Sequence, residues 1–135
     1  MKKNNLFNYT KMASIFLLML FVLTACPWTA ETYQKIESIK NDALALVEKS
    51  ATDNYDKHKS KVEGINKRIE AITSSQKNKE GVKMLQMILD KGKNTWGGFT
   101  ELWKKQGKMS TAMVPALKTR ITQAFNEVLG LGQKE

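Results

Sequence analysis

Glu31-Thr32-Tyr33-Gln34-Lys35-Ile36-Glu37-Ser38-Ile39-Lys40-Asn41-Asp42-Ala43-Leu44-Ala45-Leu46-Val47 decides the architecture, because it opens a run to Glu63 without glycine or proline. Its apolar positions, Tyr33, Ile36, Ile39, Ala43, Leu46 and Val47, recur mostly every third or fourth residue. That spacing places them on one face of a helix. Thr29 is a natural N-cap, and Glu31 complements the positive end of the helix dipole. Further on, Tyr55, His58, Val62, Ile65, Ile69 and Ile72 alternate spacings of 3 and 4, the a/d seam of a packed helix.

The two stripes are out of phase. Continuing the first predicts apolar residues at positions occupied by Asn54, Lys57 and Lys61. A stutter through Val47, Ala51 and Tyr55 absorbs the shift within one helix, whereas Ser50-x-x-Asp53 resembles a capping box that starts a second. The lack of glycine and proline favours a single long, bent helix. Gly64, inside the second stripe, costs about 1 kcal/mol relative to alanine and does not overturn that expectation.

After a polar turn over residues 73–79, Val82, Met84, Leu85, Met87, Ile88 and Leu89 make a dense apolar segment, closed by Lys91 and Gly92. Asn94-Thr95 can cap a helix holding Trp96, Phe99, Leu102 and Trp103 and ending near Gly107. Ser110 or Thr111 starts a last helix, with Pro115 tolerated in its first turn. Met113, Leu117, Ile121, Ala124, Phe125 and Val128 form its stripe, and Gly130 ends it. No segment alternates with period two. The chain therefore reads as all-α: a long N-terminal helix, or two consecutive ones, packed with two or three shorter helices in a small bundle.

Upstream lies a different composition. Lys2, Lys3 and Lys11 precede an apolar run from Ile15 to Leu23, and then Leu23-Thr24-Ala25-Cys26 holds the single cysteine of the chain. A basic lead, a short apolar core and small residues make a secretory signal. The quartet resembles the lipobox of bacterial lipoproteins. That resemblance implies cleavage before Cys26 and acylation of its thiol, palmitate being a usual chain. An uncleaved transmembrane anchor is the alternative, but a span needs roughly 20 apolar residues and this run is shorter. The expected organisation is a signal peptide over 1–25, a lipidated Cys26 with a short tether over 26–30, and a helical domain over 31–135. Pro27 is not the aspartate that commonly retains Gram-negative lipoproteins at the inner membrane. The resemblance thus points to the outer membrane, facing the periplasm, if the host is Gram-negative. In comparison with the major outer-membrane lipoprotein, which joins peptidoglycan through a C-terminal lysine, Lys134 here is followed by Glu135, which argues against wall attachment.

Cleavage leaves 110 of the 135 residues and a formal charge of +6 instead of +9, since three basic residues depart and all 13 acidic ones stay. With its one thiol acylated, the domain has no intrachain disulfide and folds by packing alone. Four residues separate Cys26 from Glu31 and reach at most about 14 Å. The domain therefore starts near the headgroups, where Trp28 suits either the lipid interface or the foot of the bundle. Scattered lysines attract anionic lipid or another acidic envelope surface. Nucleic acid, the usual partner of so basic a chain, is excluded by export.

Catalytic and ligand motifs are lacking. Asp53, Asp56 and His58 do not have helical metal-ligand spacing, because residues two apart point to different faces. No nucleophile elbow or phosphate-binding loop occurs. Neither enzyme nor cofactor is expected, and no metal. Trp96-Gly97-Gly98-Phe99 with Trp103 reads two ways. It is a surface on which a sugar, peptide or partner backbone approaches closely, or a bent helix whose aromatics complete the core. The expected function is a non-enzymatic, membrane-anchored binding or scaffold module for an envelope protein. The alternatives are an immunity or exclusion lipoprotein that sequesters a toxin, phage or conjugation factor, and a carrier of a small apolar ligand lined by Met84, Met87, Met109 and Met113. Oligomeric state is not legible.

Overall fold

The structure, a computed structural model, describes residues 28–131. The signal peptide, Cys26, Pro27 and Lys134 lie outside the described residues. Five helices follow in order: α1 Ala30–Lys49, α2 Tyr55–Ser75, α3 Lys79–Leu89, α4 Trp96–Gln106 and α5 Val114–Gly130, with a 3-10 turn at Thr111–Met113 before the last. There is no strand among the described residues, and the helices pack as a small bundle.

Cross-helix bonds give the topology. Asp42 of α1 meets Arg68 of α2, so these two run antiparallel. Lys118 pairs with Glu48, Lys40 with Asn126 and Trp28 with Val128, so α5 runs antiparallel to α1. Between them, α3 and α4 act as one broken rod of two 11-residue pieces. The indole of Trp96, at the start of α4, donates to Asn66 in mid-α2, and that of Trp103 donates to the Asp53 carbonyl at its foot. The bundle is thus up-down-up-down with its third rod interrupted. Ile36, Ile39, Val47, Val62, Ile69, Leu85, Trp96, Trp103, Ile121, Phe125 and Val128 fill the centre.

The first two stripes sit on two helices, and this corrects the expectation of one. A continuous helix over 30–75 spans about 70 Å and leaves both stripes unpartnered. Reversal lays them face to face. Polar groups replace the missing helical bonds: the Ser50 N–H reaches the Leu46 carbonyl, its hydroxyl the Val47 carbonyl at 2.6 Å, and the Asp53 N–H the Lys49 carbonyl at 2.8 Å. Ser50 therefore ends α1 and does not start α2, whose N-cap is Asn54 without a side-chain bond. At the other end Thr29 caps α1 as expected, accepting from the Thr32 N–H.

Trp28 is buried, donating 2.8 Å to the Val128 carbonyl in the last turn of α5. That carbonyl is one of the four a helix leaves open at its C-terminus. The ring also covers Gly81 of α3, where a Cβ would stand 2.1 Å from its six-membered edge. Trp28 thus ties the chain entry to both α3 and α5, at the foot of the bundle. We predict that Trp28→Ala destabilises the fold by about 3–5 kcal/mol. Gly81→Ala, which adds only a methyl on a helix, should cost about 1–3 kcal/mol by overpacking. Urea unfolding followed by circular dichroism measures both. A stabilising Gly81→Ala would show that the indole does not occupy this place.

Candidate functional site

Trp96, Phe99 and Trp103 share the inward face of α4. Trp96 and Trp103 have no exposed area and Phe99 only 2%. This corrects the reading of the three as a partner or ligand surface. Phe99 stacks on Trp103 with centroids 5.6 Å apart and tilts against Trp96 at 5.8 Å. Both indole N–H groups are used within the fold. The glycines do permit a close approach, but of the chain's own backbone. A Cβ on Gly97 would lie 2.3 Å from the Leu89 carbonyl oxygen, and one on Gly98 would lie 1.9 Å from that of Lys93. They let α4 start hard against the end of α3.

The foot of α4 meets a polar knot. Asp53 accepts from His58 Nε2 at 2.8 Å and from Lys57 at 3.1 Å, and its backbone carbonyl takes the Trp103 indole. His58 is buried beside Trp103 at a ring distance of 5.7 Å, while Tyr55 meets the same indole edge-on at 5.6 Å. His58 Nδ1 is buried without a hydrogen-bond partner. Asp56 remains exposed, and among the described residues no three metal-ligating side chains converge. The bond from His58, and then the one from Lys57, hold the Asp53 carboxyl below its ordinary value of 3.8. The knot joins α2, α4 and the turn.

A more open feature lies on the outer side of the α1–α2 hairpin. Asp42, Ala45, Leu46, Lys49, Lys61, Gly64, Ile65 and Arg68 line a hollow of about 420 Å³. Arg68 closes one end, bonding Asp42 at 2.5 Å and Ser38 at 3.0 Å across the helices. Beyond it a second hollow of about 460 Å³ runs toward Thr32, Ile72 and Gln76. Both volumes are in the range of small-molecule sites. The four methionines do not line one pocket: Met84 and Met87 border a dent of about 70 Å³, Met109 is buried at the α1–α2 turn, and Met113 is exposed.

No family model, curated protein or solved structure matches the chain. Its residues carry the functional argument alone.

The hairpin hollow was missed in the sequence, although Gly64 signalled it: a mid-helix glycine with no turn to make. The acid side of the stability profile tests the polar knot. Because the folded Asp53 pKa is depressed, its contribution is present above the unfolded value and is lost as pH falls through the folded one. Asp53→Asn removes that linkage. Its melting temperature should therefore fall less steeply than wild type between roughly pH 5 and pH 3. Equal slopes in thermal scans would show that the knot adds nothing.

Proposed function

We propose that the chain is a lipid-anchored bacterial envelope protein whose helical bundle serves as a non-enzymatic binding or scaffold module. The lipobox-like Leu23-Thr24-Ala25-Cys26 after a basic and apolar leader carries this reading. The absence of a catalytic set in the sequence supports a binding role over a chemical one. Among the described residues no helix is long and apolar enough to cross a membrane. This reading assigns attachment to the acyl chains on Cys26, upstream of the described residues.

Burial of Trp28 supports a short stance. The packed chain begins at Trp28, two residues after Cys26, a separation of at most about 7 Å of backbone. On this reading the ends of the bundle are not equivalent. The start of α1, the end of α2, the start of α3 and the end of α5 face the bilayer. The α1–α2 turn and the foot of α4 stand roughly 30 Å away, the length of α1. At that far end Lys49, Lys61, Lys104 and Lys108 have no ion-pair partner among the described residues. On this reading they would meet an acidic partner surface beyond the anchoring leaflet, because unpaired charge attracts at a distance of a Debye length, about 8–10 Å.

Two measurements test the proposal. Cys26→Ser should move the protein from the membrane fraction and abolish labelling by a clickable palmitate analogue; unchanged fractionation with the leader removed contradicts lipid anchoring. Crosslinking in intact cells, followed by purification, should enrich an envelope protein over a control with the same anchor and no bundle. No enrichment over that control sinks the scaffold role.

A further inference from the structure

Glycines in this bundle are mostly accounted for by contacts. Gly81 makes room for Trp28, Gly97 and Gly98 for the carbonyls of the α3–α4 connection, and Gly107 adopts a positive φ of 79°. At Gly64 and Gly130 a Cβ would meet nothing within 4 Å; Gly130 ends α5, whereas Gly64 is the tenth residue of α2, in its interior. A glycine inside a helix is destabilising relative to alanine, and no close approach or backbone conformation here compensates for it. Its visible effect is to leave the hairpin hollow open. A local rule broken without structural return marks a functional position.

The walls of the hollow define what fits. In the register set by Asp42 opposite Arg68, Ala45 and Leu46 lie opposite Gly64 and Ile65, and Lys49 lies opposite Lys61. The first of these cross-helix pairs is an ion pair; the last puts two exposed lysines on the rim of the hollow, neither in an ion pair among the described residues. Two such cations offer an anion a favourable place between them. Between the lysines and the Arg68–Asp42 bridge is a floor of methyl and methylene groups and bare Gly64 backbone, some seven residues or roughly 10 Å long. Leu46 and Ile65 are already 95% or more buried, so what remains is a narrow strip. A helix about 10 Å across does not enter it; a single hydrocarbon chain does.

We propose that this hollow binds a single-chain anionic amphiphile of the medium-chain fatty-acid class. Its carboxylate sits between the ammonium groups of Lys49 and Lys61. Its tail lies over Ala45, Leu46, Gly64 and Ile65 and stops at the Arg68–Asp42 bridge. The site depends neither on the lipid anchor nor on a protein partner, so each proposal survives failure of the other.

Decanoate, decanol and decyltrimethylammonium, titrated separately into the full-length chain in phospholipid nanodiscs, test it through the methyl carbon–proton shifts of Ala45, Leu46 and Ile65. Decanoate should give saturable shifts at these three residues. Decanol should bind roughly tenfold more weakly, as should decanoate to Lys49→Ala/Lys61→Ala, the effect of losing two solvent-facing charge contacts. Gly64→Leu should abolish the saturable shifts while melting no lower than wild type, since it fills the hollow and favours the helix. Gly64→Ala should weaken binding, and it decides the matter if the leucine variant misfolds. Absence of saturable shifts in wild type, equal binding of decanol, or undiminished binding by the Gly64 variants overturns the proposal.

Discussion

The turn between α1 and α2 is the constraint on which the rest of the bundle depends. Within Ser50–Asn54 the chain reverses, and α2, α4 and the connection to α5 all bond back to it. The Ser50 carbonyl accepts from the Met109 N–H at 2.8 Å, which ties down the connection leading to α5. The Asp53 carbonyl accepts from Trp103, which sets the foot of α4, and its carboxylate holds His58 at the start of α2. A hydrogen bond of this kind adds only about 0.5–1.5 kcal/mol net. Its importance lies elsewhere: leaving such a buried group unpaired costs more than the bond contributes, so alternative reversals are excluded as well as this one being favoured.

This explains why composition misled about the first helix. Glycine and proline are the usual signs of a break, and neither occurs between Glu31 and Glu63. What did register was the change of stripe phase near Ala51, together with a cluster of short polar side chains. Those side chains take helical carbonyls for themselves, Ser50 at Val47 and Thr52 at Lys49. Side-chain competition for the backbone ends a helix as effectively as glycine does. Periodicity located the buried faces well: Ile36, Ile39, Ala43, Leu46 and Val47, then His58, Val62, Ile65, Ile69 and Ile72, are all inside. It failed for Met113 and Met87, which are exposed at 39% and 45%, because an apolar residue at a helical interval needs a neighbour opposite before it is buried.

The candidate site was less legible than the fold, for a reason that the glycines make plain. Sequence shows that something approaches a glycine closely and does not show what. At Gly97-Gly98 the approaching group is the backbone of the α3–α4 connection, and the flanking aromatics turn inward with it. Gly64 has the opposite character. Its neighbour is missing within the chain, and only three-dimensional placement beside Leu46, Ile65 and the facing lysines gives that gap chemical content. Indoles likewise do not announce their direction: Trp28 suits a bilayer interface by composition but is committed to Val128 and Gly81.

That commitment of Trp28 links the fold to the proposed anchor. A protein on a long tether samples many orientations, and its surface charge then acts as an average. On the proposed anchoring, a bundle packed from Trp28 onward would sample few, so the position of each charge would acquire meaning. Lysines near the foot would be screened by and bound to the headgroups they touch. Those at the α1–α2 turn and the end of α4 lie several Debye lengths from the anchoring leaflet when the bundle stands upright. On that anchoring, anionic lipid of the same leaflet would attract them only if the bundle tilted onto its side. The hairpin hollow extends along the outer side of the hairpin to Lys49 and Lys61 at the same far end. An upright stance would present it to soluble or partner-borne anions, and a reclining one would press it toward the bilayer. The posture of the bundle on the proposed anchor would thus select between these two kinds of partner, by setting which surface the lysines can reach.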